Sequence, residues 1–181
     1  MDITKDKIGW KAYWKIDRFR DSTGEIAKSL QRGLSMIEAL EKYKDSFLSH
    51  DEIIGNIALN EGLQEVINLA FGLGTPTAFD GTNGYLGVGD SSAAESAAHN
   101  SLQAATNKTY MVFDDNYPAR TNQTVEARAT FGSAVGNHGW QEFTIANGNS
   151  DSAKNLNRKV ADKGTKASGE SWVLSLSITF S

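Results

Sequence analysis

The chain has 181 residues, 39% of them hydrophobic and 22% charged, which suits one globular domain large enough to bury a core without cross-links. Eighteen Lys and Arg against 22 Asp and Glu leave a net charge of −4, the wrong balance for binding phosphate backbones, so no nucleic-acid partner is expected. The absence of cysteine excludes disulfides, iron–sulfur clusters and thiol catalysis.

The first residues, Met1 to Lys7, carry no apolar stretch of the secretory type, and no apolar run approaches the roughly 18 residues of a membrane span. The expectation is a protein made in the cytoplasm with no membrane partner. Charge is uneven along it. Residues 1–54 hold ten basic and ten acidic side chains, whereas residues 55–181 hold eight and twelve.

In chain order, Trp10, Ala12, Trp14 and Ile16 alternate with Lys11, Tyr13, Lys15 and Asp17, the period of a strand. Asp21-Ser-Thr-Gly24 supplies a turn, and a weaker return strand over 25–30 would complete an N-terminal hairpin within residues 1–33. Residues 34–75 read as helical. Leu34, Ile37, Leu40, Tyr43, Phe47 and Leu48 follow a 3–4 spacing that predicts a helix over 34–54. A second helix is predicted over 60–71, with Leu63, Val66, Ile67 and Ala70 as its buried stripe and Gly72-Leu-Gly74 as its stop.

Residues 76–181 change to short strands and turns. Strands are predicted at 85–89, 109–113, 124–131, 140–145 and 172–181, with a short helix within 92–105 started by Ser92 and Glu95. The segment 147–170 is polar and reads as a long loop suited to partner contact. The last strand is the clearest: Trp172, Leu174, Leu176, Ile178 and Phe180 share one face, and Ser175, Ser177 and Thr179 lie on the other. The fold class is α+β, mainly β: an antiparallel β-sandwich with an N-terminal hairpin and two helices.

The search for chemistry finds little. His50, His99 and His138 have no local metal-ligand spacing. Gly72-Leu-Gly74 and Gly87-Val-Gly89 complete neither phosphate-binding motif. Asp80 and the Asp114-Asp115 pair sit in turn-like segments without the downstream Glu of a calcium loop. Glu126 and Glu142 are the one carboxylate pair that a glycosidase could use. No catalytic residue, cofactor or metal is therefore assigned. Trp10, Tyr13, Trp14 and Phe19, interleaved with Lys11, Lys15, Arg18 and Arg20, are the candidate interface residues, because aromatic and Arg side chains dominate interface hot spots.

Several segments taken together resemble small structural proteins of tailed bacteriophages. They are W-K-A-Y-W-K-I-D from Trp10, the N-x-x-x-N-x-G-L run from Asn56, Tyr85-Leu-Gly-Val-Gly89-Asp, V-E-A-R-A-T-F at 125–131 and W-Q-E-F-T-I at 140–145. Asn157-Arg158, Gly164-Thr-Lys166 and the terminal W-V-L-S-L-S-I-T-F-S complete the set, in order and over about half the chain. Residues 34–54 look like an insertion relative to that pattern. The resemblance implies a viral protein of the virion, non-catalytic and homo-oligomeric, whose partners are capsid, neck or tail proteins. The expected role is a decoration or cement protein on the head shell. The alternatives are a neck or tail-fibre module that binds a host receptor or glycan, and a carboxylate-dependent hydrolase.

Overall fold

The computed structural model describes residues 9–181, so residues 1–7, read above for a secretory stretch, lie outside the described residues. Two five-stranded antiparallel sheets face each other as a sandwich. The first has the order β2-β1-β10-β7-β6 and the second β3-β9-β8-β4-β5. Their strands are β1 (Trp10–Arg20), β2 (Phe47–Ile54), β3 (Ile57–Ala58), β4 (Tyr85–Gly89), β5 (Lys108–Val112), β6 (Ala119–Thr121), β7 (Thr124–Phe131), β8 (Glu142–Ala146), β9 (Asn157–Val160) and β10 (Glu170–Phe180). Three helices accompany them: α1 (Glu25–Gln31), α2 (Met36–Lys42) and α3 (Asn60–Phe71).

The first sheet is built around β10. It pairs with β1 along its whole length, from Trp10 opposite Phe180 to Arg20 opposite Glu170, and with β7 on its other side. The alternation read from sequence sets the register, because a one-residue slip would turn every apolar side chain outward. Trp14, Ile16, Ala129, Phe131, Leu174 and Leu176 meet Leu86, Trp140 and Phe143 of the facing layer. Trp140 lies edge-on to both Phe131 (4.7 Å) and Trp172 (4.8 Å), and its indole N–H donates to the Gly136 carbonyl at 2.9 Å. A second, smaller core lies on the outer side of the same sheet, where α1 and α2 cover Phe19 and Val173 with Ile26, Leu30 and Ala39.

Several expectations need correction. Residues 25–30 are not a return strand. The Asp21 carboxylate accepts the backbone N–H groups of Ile26 (3.3 Å) and Ala27 (2.9 Å), and these bonds satisfy the first turn of a helix instead. The strand that pairs antiparallel with β1 on its edge away from β10 is β2. The helix expected over 34–54 ends at Lys42, and a 3₁₀ turn leads into strand β2. The second half of the presumed stripe, Phe47 and Leu48, belongs to that strand, which gains a full ladder from β1. Segment 34–75 thus contributes two strands to the sandwich as well as helices.

Residues 92–105 form no helix. Glu95, expected at its first turn, accepts the Val160 backbone N–H at 2.7 Å. Segment 147–170 is an exposed loop only in its flanking parts, and its middle turns inward. Asn155, Asn157 and Arg158 are fully buried, and β9 runs through it. Its polar residues form an internal network: the Thr144 hydroxyl donates to Asn155 Oδ1 (2.9 Å), and Asn157 Oδ1 accepts the Ile145 N–H (3.1 Å).

Candidate interaction surfaces

The four candidate interface residues separate. Trp14 and Phe19 are fully buried, one in each core, and so are not available to a partner. Trp10 is half-buried beside Phe180, and Tyr13 is half-buried on the opposite face of β1. The interleaved cation Arg18 is also engaged within the chain, ion-paired to Asp51 and stacked 4.2 Å over the Trp172 ring.

The carboxylates considered for hydrolysis are not brought together. Glu126 lies on the outer face of the first sheet. Glu142 is fully buried in the second, bonded to the Arg158 Nε at 2.7 Å. A second buried pair, Asp114 with Arg128 (2.7 Å), ties α1 to β7, because Arg128 also donates to the Leu30 carbonyl. Asp80 accepts the N–H groups of Thr82 (2.9 Å) and Asn83 (2.8 Å), which holds its carboxyl below the usual range and makes the segment a turn. Gly89 leaves room for the Glu142 carboxylate: a Cβ there would lie 2.5 Å from Oε1.

Two surfaces remain. The first is a groove of about 470 Å³ on the outer face of the first sheet. Ser175, Ser177, Asp17 and Glu126 line it with polar groups, and Leu40, Phe47 and Tyr117 with apolar ones. His50 sits at this groove. Its Nδ1 lies 2.7 Å from Asp17 and its Nε2 lies 3.3 Å from Glu52. The bond to Asp17, with help from Glu52, raises the His50 pKa above its ordinary 6.5, against the opposing effect of burial. The Tyr13 hydroxyl next to Glu52 lowers that carboxyl, and the carboxylate raises the phenol.

This cluster has a pH signature. A histidine whose folded pKa exceeds its unfolded one stabilises the fold fully below the unfolded value, and that contribution disappears as pH rises through the folded value. The melting temperature of the wild type should therefore exceed that of His50→Gln by more at pH 5.5 than at pH 8.5. Thermal denaturation of both proteins across that window checks it, and equal differences at the two ends would refute it.

The second surface is α3, and sequence reasoning misplaced its direction. The helix forms where expected and stops at Gly72, which takes φ 63° as the C-cap. Its stripe does not face the core. Leu63, Val66, Ile67 and Ala70 are exposed, as are Leu69, Phe71 and Leu73. The opposite, polar side is what touches the body. Glu61 accepts the backbone N–H groups of Asn155 (2.9 Å) and Ser101 (3.2 Å). Glu65 accepts the Thr77 N–H (2.7 Å) and the Asn147 side-chain amide (3.0 Å). Between them Gly62 lies against the backbone of Asn155 and Leu156.

The stripe runs into an apolar cleft of about 200 Å³ where Leu63 and Val66 meet Trp10, Phe180, Ala58 and Leu156. Of the four residues singled out from sequence, Trp10 alone contributes to it. A signal for this face existed: Glu61 and Glu65 are four residues apart, opposite the stripe, in a stretch where residues 62–79 hold no other charge. Compared with known proteins, the chain matches no family model, no curated protein and no solved structure.

Proposed function

We propose that this chain is a non-catalytic, homo-oligomeric structural protein of a bacteriophage virion, acting as a decoration protein on the head shell. The observation that carries the reading is α3, a helix held to its body by carboxylates with its apolar stripe facing outward. Contiguous exposed apolar surface of this kind marks assembly sites. The order of the phage-like segments supports the virion as the place of assembly. The Glu142–Arg158 and Asp114–Arg128 pairs are buried ion pairs whose Nε–carboxylate bonds run within the fold.

A gold-labelled antibody against the chain, applied to purified particles of the encoding phage, tests this. Label distributed over the head is expected, and unlabelled particles would end the virion reading. The groove of the first sheet favours a second reading, a neck or tail-fibre module for a host glycan, because carboxylates and hydroxyls beside Phe47 and Tyr117 suit a sugar ring. Label confined to one vertex or the tail, with saturable binding of the isolated protein to host-cell glycans, would transfer the function to that reading.

A further inference from the structure

We propose that α3 is the seam of a two-fold homodimer in which Phe71 of each copy enters the cleft between Leu63, Val66, Trp10 and Phe180 of the other. The proposal rests on the assembly reading above and names the partner at that face.

Chemistry selects the occupant first. The outward side of α3 is apolar, and the only charged side chain between residues 62 and 79 is Glu65, which is turned inward and hydrogen-bonded. A face without charge can meet its own copy without like-charge repulsion, and it offers nothing to a charged partner. Its size is adequate for a dimer. Leu63, Val66, Ile67, Leu69 and Leu73 are each between 37% and 52% exposed, and Phe71 is 75% exposed. Without Leu69, which lies about 160° round the helix from Phe71, the other five make a patch of roughly 300–600 Å², the range of the largest patches on monomers and often a functional one. With Trp10 and Phe180 alongside, it approaches the approximately 800 Å² per partner of a standard interface.

Geometry then selects the symmetry. A two-fold contact brings one patch against itself, so any projection on it must meet a hollow elsewhere on the same patch. Phe71 is the projection and the cleft is the hollow. At 1.5 Å per residue Phe71 lies about 6 Å along the helix from Ile67, toward the C-terminal end. The midpoint of Leu63 and Val66 lies about 4 Å from Ile67 the other way. A two-fold axis between Ile67 and Asn68 equalises these distances. At about 100° per residue, Val66 bounds one flank of the stripe and Phe71 the other, with Leu63 and Ile67 between them. The axis lies in the plane of the contact and square to the line from the cleft to Phe71, so the rotation exchanges those two points and the helices cross obliquely. The rotation therefore carries Phe71 to the side where Trp10 and Phe180 open the cleft. Ile67 meets its own counterpart close to the axis.

The full-length protein tests this directly. Light scattering at tens of micromolar should give twice the chain mass of 19.6 kDa. Phe71→Asp should weaken association at least about 30-fold, the loss that follows removal of a central aromatic anchor, while thermal melting followed by circular dichroism stays at the wild-type temperature under dissociating dilution. The chain has no cysteine, so Ile67→Cys introduces a unique reporter. Mild oxidation should join it into a covalent dimer, whereas Ile54→Cys on β2, at a site 79% exposed against 50% for Ile67, should stay monomeric on the same gel.

A wild-type monomer would overturn the proposal, whether the face is then covered by the chain's first eight residues or by a shell protein. So would a dimer indifferent to Phe71→Asp, or a trimer in which Ile67→Cys does not cross-link. The two readings fail separately. A monomer that still decorates particles removes the dimer alone, and a cross-linked dimer absent from all particles removes the virion role alone.

Discussion

Replacing Glu142 with alanine should cost about 3–5 kcal/mol of unfolding free energy, the loss expected when one partner of a buried ion pair is removed. The carboxylate has no exposure to water. It accepts Arg158 Nε at 2.7 Å, the Ala104 N–H at 2.7 Å and the Gln103 N–H at 2.9 Å. Arg158 in turn donates to the Ala93 carbonyl at 3.0 Å. Both ends of segment 93–104, which has no regular structure, are thus pinned to β8 and β9 through one ion pair. Without Glu142 the guanidinium is left buried and uncompensated, and two backbone donors lose their acceptor. Since small domains are stable by about 5–15 kcal/mol in total, the variant should unfold at a much lower urea concentration. Replacing both Glu142 and Arg158 with methionine should be less damaging than the single change, because no bare charge remains, yet still unfavourable because the backbone groups of segment 93–104 lose their partners. Urea titrations of the three proteins decide the matter. A cost below about 1 kcal/mol for Glu142→Ala would show that water reaches the pair.

The same pair shows where sequence reading stops. Strands β7 and β10 were readable because their side chains alternate, and each is apolar on the face that meets the second sheet. Strand β9, Asn157–Val160, carries no such alternation. Arg158 and Asn157 are buried by hydrogen bonds to residues far away in sequence, and a polar tetrapeptide of that kind looks like a loop. Strand β2 was missed for the opposite reason. Its Phe47 and Leu48 extended a helical spacing, and only pairing with β1 decides between the two periods. Helix α3 had the right period and the wrong direction. Periodicity reports that a helix has two faces, and the face that docks is set by what the body offers. Here the body offers the backbone N–H groups of Ser101, Asn155 and Thr77, so the carboxylate side is drawn in. The resulting apolar surface, rather than the N-terminal aromatics as a group, is what the fold leaves for a partner.

Gly62 is where that outcome can be tested with one methyl group. It sits inside α3, where alanine would ordinarily favour the helix by about 1 kcal/mol. A Cβ at this position would lie 2.3 Å from Leu156 Cα and 2.5 Å from the Asn155 carbonyl oxygen. Both are backbone atoms held by other bonds: the Leu156 carbonyl accepts the Leu59 N–H, and the Leu156 N–H donates to Ile145. Neither can rotate aside as a side chain would, so α3 itself must lift. Lifting stretches the Glu61 bonds to Asn155 and Ser101 in the first turn, and it opens the cleft whose far wall is Leu156. The net effect of Gly62→Ala should be a loss of about 2–3 kcal/mol, the overpacking and broken hydrogen bonds outweighing the gain in helix propensity. Hydrogen exchange should locate the damage, with amides of α3 losing protection while those of β10 keep it. In the proposed dimer the variant should also dissociate although Phe71 and Ile67 are untouched, since that seam would depend on where the helix stands. A variant more stable than wild type, as propensity alone would produce, would mean that α3 does not lie against residues 155 and 156, and the outward direction of its apolar stripe would lose its physical basis.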